Sequence, residues 1–344
     1  MDEVRSYDND IKSVADLPNL PWSKLSGKNI LITGATGLIG GCIVDILMSR
    51  DDIDYHVYAS GRNENRADKL FGKYKDSENF HFIKIDVTKQ IRCNIPFHYI
   101  VSCASGANPI VYSTQPVETI LTNILGVDNL MRYGIDNSLE RFVYVSSGDV
   151  YGEGDGRIFT EDYSGYVNPM ILRSCYPSAK RAAEALCVAY ASQYEIDVSV
   201  VRPCHIYGPN FSDSDTRAYA QFLRNAIAGE DIVLKSNGSQ MRSWCYVVDC
   251  AAAILYVIML GSSGEAYNIA DASSNLSIRE FAHTIASFVG RRVVFEIPNN
   301  VEVAGFNTVT LSLFDTTKIE SLGWHPISSF DNNIHTTLEY LLHK

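Results

Sequence analysis

The run Ile30-Leu31-Ile32-Thr33 passes directly into Gly34-Ala35-Thr36-Gly37-Leu38-Ile39-Gly40, and this junction limits the possible folds more than any other feature of the chain. Apolar, β-branched residues before the glycines favour a buried strand, and the apolar segment after them, Leu38–Arg50, reads as a helix. The first glycine allows a tight turn, the second lets backbone approach a pyrophosphate, and the third lets helix and strand pack closely. The helix then turns its free N–H groups and positive end toward that phosphate. Strand, glycine turn and helix in this order make a dinucleotide site, and Gly34, Thr36, Gly37, Leu38, Ile39 and Gly40 are expected to line it.

Strand-like runs stand at Asn29–Thr33, before the turn, and then at His56–Ser60, His81–Asp86, Tyr99–Ala104, Phe142–Ser147 and Val198–Arg202. Helical segments separate them: Leu38–Arg50, Asn65–Tyr74, Pro116–Asn137 and Pro177–Tyr194. Continuous apolar strands alternating with helices predict an α/β fold, a doubly wound parallel sheet whose ligands sit at the carboxyl ends of the strands. After about Pro203 the alternation fades into a helix at Arg217–Ala228, a short strand at Ile232–Lys235, a helix at Val248–Leu260 and shorter elements. The expected organisation is an N-terminal extension over 1–26, lying on the surface with Trp22 as an anchor; a dinucleotide-binding domain over 27–203; and a smaller, mainly substrate-binding lobe over 204–344.

A net charge of −11 argues against nucleic acid or an anionic membrane as partner, since both need a basic face. The longest apolar run, Cys250–Leu260, is too short to cross a bilayer, and the polar start MDEVRSYDND lacks the pattern of a secretory signal. The eight cysteines form no CxxC pair and no metal-ligand spacing with histidine, so they read as buried thiols of a cytoplasmic protein, and no metal site is expected.

Two constellations carry chemistry. Tyr176 and Lys180, four apart at the start of a helix, share a face. A phenol of pKa ~10 becomes a useful base only when a nearby cation stabilises its anion, and Lys180 is expected to lower it. Ser147, ending a strand, is placed to hold the substrate oxygen. The second constellation concerns the dinucleotide's adenosine end. An acidic residue closing the second strand ordinarily binds the ribose diol of NAD, but Tyr58-Ala59-Ser60-Gly61-Arg62-Asn63 has none, so Arg62 leaves NADP open beside NAD. Asp86-Val87 suits the adenine, with a capping role the other reading of Asp86.

Together TGATGLIG, SSGDVYG, YPSAK and RPCHIYGP resemble the extended short-chain dehydrogenase/reductase family, the nucleotide-sugar epimerases and dehydratases, from Lys28 to Gly323-Trp324-His325-Pro326. The resemblance implies a Rossmann sheet binding NAD, with a nucleotide-diphosphate sugar as substrate. Tyr176 would take a sugar hydroxyl proton while hydride passes to the nicotinamide. Asn123 would brace the active-site helix, and Ala104, Ser105 and Pro203 would line the cofactor. Two helices of each subunit, Pro116–Asn137 and Pro177–Tyr194, would pack as the four-helix bundle of a homodimer.

Within that family the segments Gln115-Pro116-Val117-Glu118-Thr119, Arg173-Ser174-Cys175-Tyr176 and Gly238-Ser239-Gln240-Met241-Arg242 are most similar to UDP-glucuronate decarboxylases. There, oxidation at C4 makes a β-keto acid that loses CO2. By that resemblance Tyr112, Asp149 and Arg242 would flank the reacting carbon, while Arg173, His205, Arg217 and Arg242 would hold substrate. Three departures stand out. Ser147-Gly148-Asp149 replaces Thr-Ser-Glu, His205 replaces an asparagine, and Leu313-Phe314-Asp315 stands where an arginine is usual. A 4-epimerase needs only oxidation, rotation and hydride return. A 4,6-dehydratase needs an acid beside Asp149 that Gly148 cannot supply. A protein that binds the dinucleotide without catalysis, or a dehydrogenase using external NADP, completes the alternatives.

Overall fold

The computed structural model describes residues 5–52, 54–296 and 310–343. Its first six strands are β1 (Asn29–Thr33), β2 (His56–Gly61), β3 (Phe80–Lys84), β4 (Tyr99–Ser102), β5 (Arg141–Val145) and β6 (Asp197–Pro203). Seven more follow: β7 (His205–Tyr207), β8 (Ile232–Leu234), β9 (Met241–Tyr246), β10 (Ala266–Ile269), β11 (Asp271–Ser277), β12 (Val293–Phe295) and β13 (Leu311–Ser312). The helices are α1 (Tyr7–Ala15), α2 (Leu38–Met48), α3 (Glu64–Phe71), α4 (Pro109–Thr114), α5 (Pro116–Asp136) and α6 (Cys175–Tyr194). They continue as α7 (Ala218–Ile227), α8 (Val247–Leu260), α9 (Ile278–Phe288), α10 (Thr317–Glu320) and α11 (Phe330–Leu342).

The main sheet is parallel throughout, in the order β10-β6-β5-β4-β1-β2-β3. Side chains alternate across it, as period two requires. Ile30 and Ile32 of β1, Val101 of β4 and Val143 of β5 enter one core with α2 and α8. Leu31, Ile100, Phe142 and Tyr144 enter the other, against Val127, Leu130 and Met131 of α5 and Ala183 and Cys187 of α6. Helices on both faces explain why the strands read as unbroken apolar runs. The order reverses between β1 and β4, which opens a crevice at their carboxyl ends. Among the described residues no helix is long and apolar enough to cross a membrane.

Two features depart from the sequence-based expectation. The N-terminal segment does not simply lie on the surface: α1 buries Tyr7, Ile11, Val14 and Ala15 in the main core. Their spacing is that of one helical face, and Ser6 caps the helix by accepting from the Asn9 N–H. The acidic residues between them obscure the stripe. Arg5 fastens this helix to α11, donating to Asp10 at 2.7 Å and to Asn333 at 2.7 Å. Trp22 is half-buried under the Arg50 guanidinium, and residues 1–4 lie outside the described ones. Second, the sheet has a seventh strand, β10, contributed along with α8 by the chain beyond residue 203. Polar Asn268 hides this strand in the sequence. Its fully buried amide donates to the carbonyls of Phe159 and Asp315 and accepts from Tyr151, which satisfies it.

Candidate active site

The crevice at the strand ends is a cleft of about 560 Å³. Its floor is the glycine turn. Gly34 has φ +62°, and a Cβ there would stand 2.8 Å from the Ala104 backbone, while a Cβ on Gly40 would stand 2.7 Å from the Gly34 carbonyl. Gly37 heads α2 with no side chain capping it, so the first-turn N–H groups remain for an anion. Thr36, Leu38, Ile39, Arg62, Asp86, Val87, Ala104, Ser105 and Pro203 line the same cleft, which fits an extended dinucleotide. Asp86 also holds its own turn, accepting from the Thr88 amide and hydroxyl, and these bonds keep its carboxyl below the usual range. Asn123 is not in the lining. It is buried on α5, donates to Thr119 and accepts from Tyr144 of β5, so it ties α5 to the sheet rather than to α6.

At the inner end, α6 brings Tyr176 and Lys180 to the cleft beside Ser147. The helix is locked in place by the Arg202–Glu184 pair at 2.7 Å and by Arg181 donating to the Val150 and Gly165 carbonyls. The Tyr176 ring stacks on Tyr112, centroids 4.5 Å apart and planes at 19°. The Ser147 and Tyr112 hydroxyls stand near the Tyr176 phenol and act to lower its pKa. Lys180 is wholly buried, donates to the Val145 carbonyl at 2.7 Å, and lies 5.7 Å from the Tyr176 ring centre.

The electrostatics correct one expectation. Burial, with Asp149 adding to it, pushes the Tyr176 phenol up to about 12 against the two hydroxyls that lower it. Burial likewise pulls the Lys180 ammonium down to about 7. Lys180 therefore does not by itself depress the phenol, because the same dry surroundings penalise both charges.

Beyond Tyr176 lies a cluster of charges. Asp149 is exposed and outside the cleft lining, yet the protein crowding its carboxyl raises it against the opposing charges of Arg173, Arg242 and Lys180. Arg242 is buried in β9, donates to the Met241 carbonyl at 2.8 Å, and falls to about 10 through burial. Arg173 is exposed on the turn before α6, outside the cleft lining. Arg217 lines the cleft and makes a two-pronged pair with buried Asp215. His205 packs 5.3 Å from Trp244, and burial plus Arg242 and Arg217 push it down to about 3, so it is neutral. Its Nδ1 is buried without a hydrogen-bond partner among the described residues.

Two of the departures seen separately in the sequence are one packing event. A Cβ on Gly148 would lie 2.1 Å from the ring tip of Phe314. Phe314 is buried against Tyr151 and Phe159, so the aromatic ring in the usual arginine's place fills the space a side chain at 148 would need. Sequence reasoning also missed Arg66, which lines the cleft and donates from Nε to the Thr36 carbonyl at 2.8 Å. It missed α4 too, although Asn108-Pro109 carries the signal of a capped start with proline in the first turn. Asn108 donates to the Ser214 carbonyl and so ties α4 to the loop bearing Arg217. Among the described residues there is no group of His, Cys, Asp or Glu able to hold a metal ion.

Residues 30–270 match the model of the NAD dependent epimerase/dehydratase family. A UDP-glucuronic acid decarboxylase of Arabidopsis thaliana is 32% identical over 279 residues, 80% of this chain and 78% of that protein. The fold is shared with the UDP-glucose 4-epimerase of Thermotoga maritima, solved with UDP-glucose: TM-score 0.78, 23% identity, 91% of this chain and 98% of that one. It is shared equally with the UDP-glucuronic acid 4-epimerase of Bacillus cereus, solved with UDP-glucuronic acid and NAD: TM-score 0.78, 20% identity, 92% of this chain and 99% of that one. A glycine-cradled cleft, the Ser147–Tyr176–Lys180 group at its inner end and these likenesses agree: the chain belongs to the NAD dependent epimerase/dehydratase family.

Proposed function

We propose that this protein oxidises a nucleotide-diphosphate sugar at C4 and that the reaction is decarboxylation of UDP-glucuronate to UDP-xylose. The dinucleotide would lie over Gly34, Gly37 and Gly40, with its adenosine toward Asp86 and Val87 and its nicotinamide end toward Lys180. When bound in oxidised form it supplies a hydride acceptor and a positive charge. Ser147 holds the C4 oxygen, and Tyr176 takes the hydroxyl proton as hydride leaves C4. A phenol standing at about 12 needs added positive charge to do this, and Lys180, poised at about 7, shares that role.

The oxidised sugar is a β-keto acid. Its C5–C6 bond breaks, CO2 leaves, and the electron pair is accepted by the C4 carbonyl. A proton then returns to C5 and the hydride to C4, with no net change in the dinucleotide. Asp149, whose carboxyl is raised, is assigned to hand over the C5 proton. The observation that carries the reading is Arg242: a buried guanidinium whose charge reaches Asp149, where a sugar carboxylate would need a partner. Arg217 and neutral His205 are assigned to the rest of the substrate, with Arg173 at the mouth. Dehydration is disfavoured because Phe314 leaves no room for an acid at 148.

The dinucleotide is assigned chiefly to residues 27–203 and the sugar chiefly to 204–344. Pairing of two copies through α5 and α6 is supported by the exposed Val117, Leu121 and Leu125 on one helix and Val188 and Tyr194 on the other. Eight free cysteines support a cytoplasmic setting. Mass spectrometry of products from a panel of nucleotide sugars tests the reaction. A UDP-pentose and CO2 from UDP-glucuronate are expected. Unchanged UDP-glucuronate beside an isomerised or dehydrated sugar would refute decarboxylation.

A further inference from the structure

The face of α6 that carries Tyr176 and Lys180 continues one turn further, to Glu184. The three residues follow at four-residue spacing, so they form one stripe along the helix. Lys180 is wholly buried: its ammonium donates to the Val145 carbonyl at 2.7 Å and lies 4.7 Å from the centre of the Tyr144 ring. A cation withdrawn from water keeps its proton only where negative charge faces it.

The titratable groups around Lys180 are Cys103 just past β4, Tyr144 of β5, Asp149 on the turn after β5, and Tyr176, Glu184 and Cys187 on its own helix. Burial pushes both thiols and both phenols up, so none of these four is an anion at neutral pH. Asp149 is exposed, where solvent screens its charge. Glu184 differs from all of them. Its side chain is only 13% exposed, and Arg202 of β6 grips both carboxylate oxygens, at 3.1 and 2.7 Å. Arg202 also donates to the Glu161 carbonyl at 2.7 Å and to the Tyr151 hydroxyl at 3.2 Å, which fixes the fork and the carboxylate in it. Burial draws the Lys180 proton off, and Glu184 opposes that more strongly than Asp149 does.

We infer that Glu184 is a positioning residue: its carboxylate, held in place by Arg202, keeps the Lys180 ammonium charged beside Tyr176. The inference rests on reading Tyr176 and Lys180 as the proton-accepting pair and carries that reading one turn along α6. Glu184 lies outside the cleft lining, so it acts through Lys180 and not on the substrate.

NMR of the full chain with its lysines enriched in carbon-13 at Cε follows the Lys180 titration directly, the signal being assigned by its loss in Lys180→Met. Glu184→Gln should move that titration to lower pH by about half a unit or more, and Glu184→Asp should return most of the shift. Turnover of UDP-glucuronate by Glu184→Gln above neutral pH should fall by about threefold or more, its alkaline limb displaced by the same interval. A merely structural role would lower turnover alike at every pH and leave the limb in place. Should Glu184→Gln fail to fold with Arg202 left unpaired, Glu184→Gln together with Arg202→Gln removes both charges and should move the titration in the same direction. A Lys180 titration within about 0.2 unit of the parent in the variant that folds would overturn the inference and leave the proposed chemistry standing. A parent protein that turns over no nucleotide sugar would refute that chemistry, and the Lys180 titration would still decide the inference.

Discussion

Replacing Gly148 by alanine tests the interlock beneath the catalytic serine. The added methyl would stand 2.1, 2.9 and 3.2 Å from three atoms of the Phe314 ring. Carbon atoms ordinarily settle at about 3.5–4.0 Å, so the ring tip must retreat by about 1.5 Å. It has little freedom to do so. Its centroid stands 5.4 Å from that of Tyr151 and 6.0 Å from that of Phe159, and its N–H donates to the Ser243 hydroxyl at 3.0 Å. Overpacking of this kind costs about 1–3 kcal/mol, and three close atoms on a buried ring place this site near the middle of that range. Urea unfolding, extrapolated to water, measures it. Gly148→Ala should lose about 2 kcal/mol, and Phe314→Leu in the same chain should restore about 1 kcal/mol relative to the sum of the single changes. Because Ser147 is adjacent, the alanine variant should also lose kcat more than it changes KM. A Gly148→Ala protein within about 0.5 kcal/mol of the parent, or strictly additive changes, would refute the reasoning.

Tyr176→Phe should keep dinucleotide affinity and lose turnover by at least about a hundredfold, since the proton acceptor is gone while the ring still stacks on Tyr112. Equilibrium titration and steady-state rates decide it, and unchanged turnover would remove Tyr176 from the mechanism. Asp249 is wholly buried, accepts from the Ile327 N–H at 2.8 Å, and is pushed up to about 8 by that burial. Its folded pKa is above the unfolded one, so stability is greatest at acid pH on this account and falls as pH rises toward and through 8. Asp249→Asn should flatten that fall, which can reach about 1.4 kcal/mol per pH unit for one proton; an unchanged slope in unfolding at several pH values would contradict the assignment. Ile11→Ala in α1 should cost about 2–4 kcal/mol by thermal or urea unfolding, as a core cavity does, whereas a surface extension would lose under about 0.5 kcal/mol.

Local order was legible in the chain, and long-range proximity was not. β1, the glycine turn and α2 are consecutive, so their residues specify one another, and the four-residue spacing of Tyr176 and Lys180 needs only a helix to bring them together. β10 escaped because Ala266, Tyr267 and Ile269 make too short an apolar run once Asn268 interrupts it, and only the fold brings Tyr151, Phe159 and Asp315 to satisfy that amide. Gly148 and Phe314 each looked like an isolated departure, and only the fold shows them filling one space. The phenol's raised pKa was equally hidden. Spacing announces that an ammonium is near, but the burial that penalises both charges comes from β5, α4 and α6 packing together.

Incubation of the protein with UDP-glucuronate carrying deuterium at C4, followed by mass spectrometry and NMR of the sugar, tests the central claim most directly. The account predicts a UDP-pentose that keeps the deuterium at C4, CO2 released in equal amount, and no net change in the dinucleotide. A pentose that has lost the label to solvent, or UDP-glucuronate recovered intact beside active protein, would contradict it.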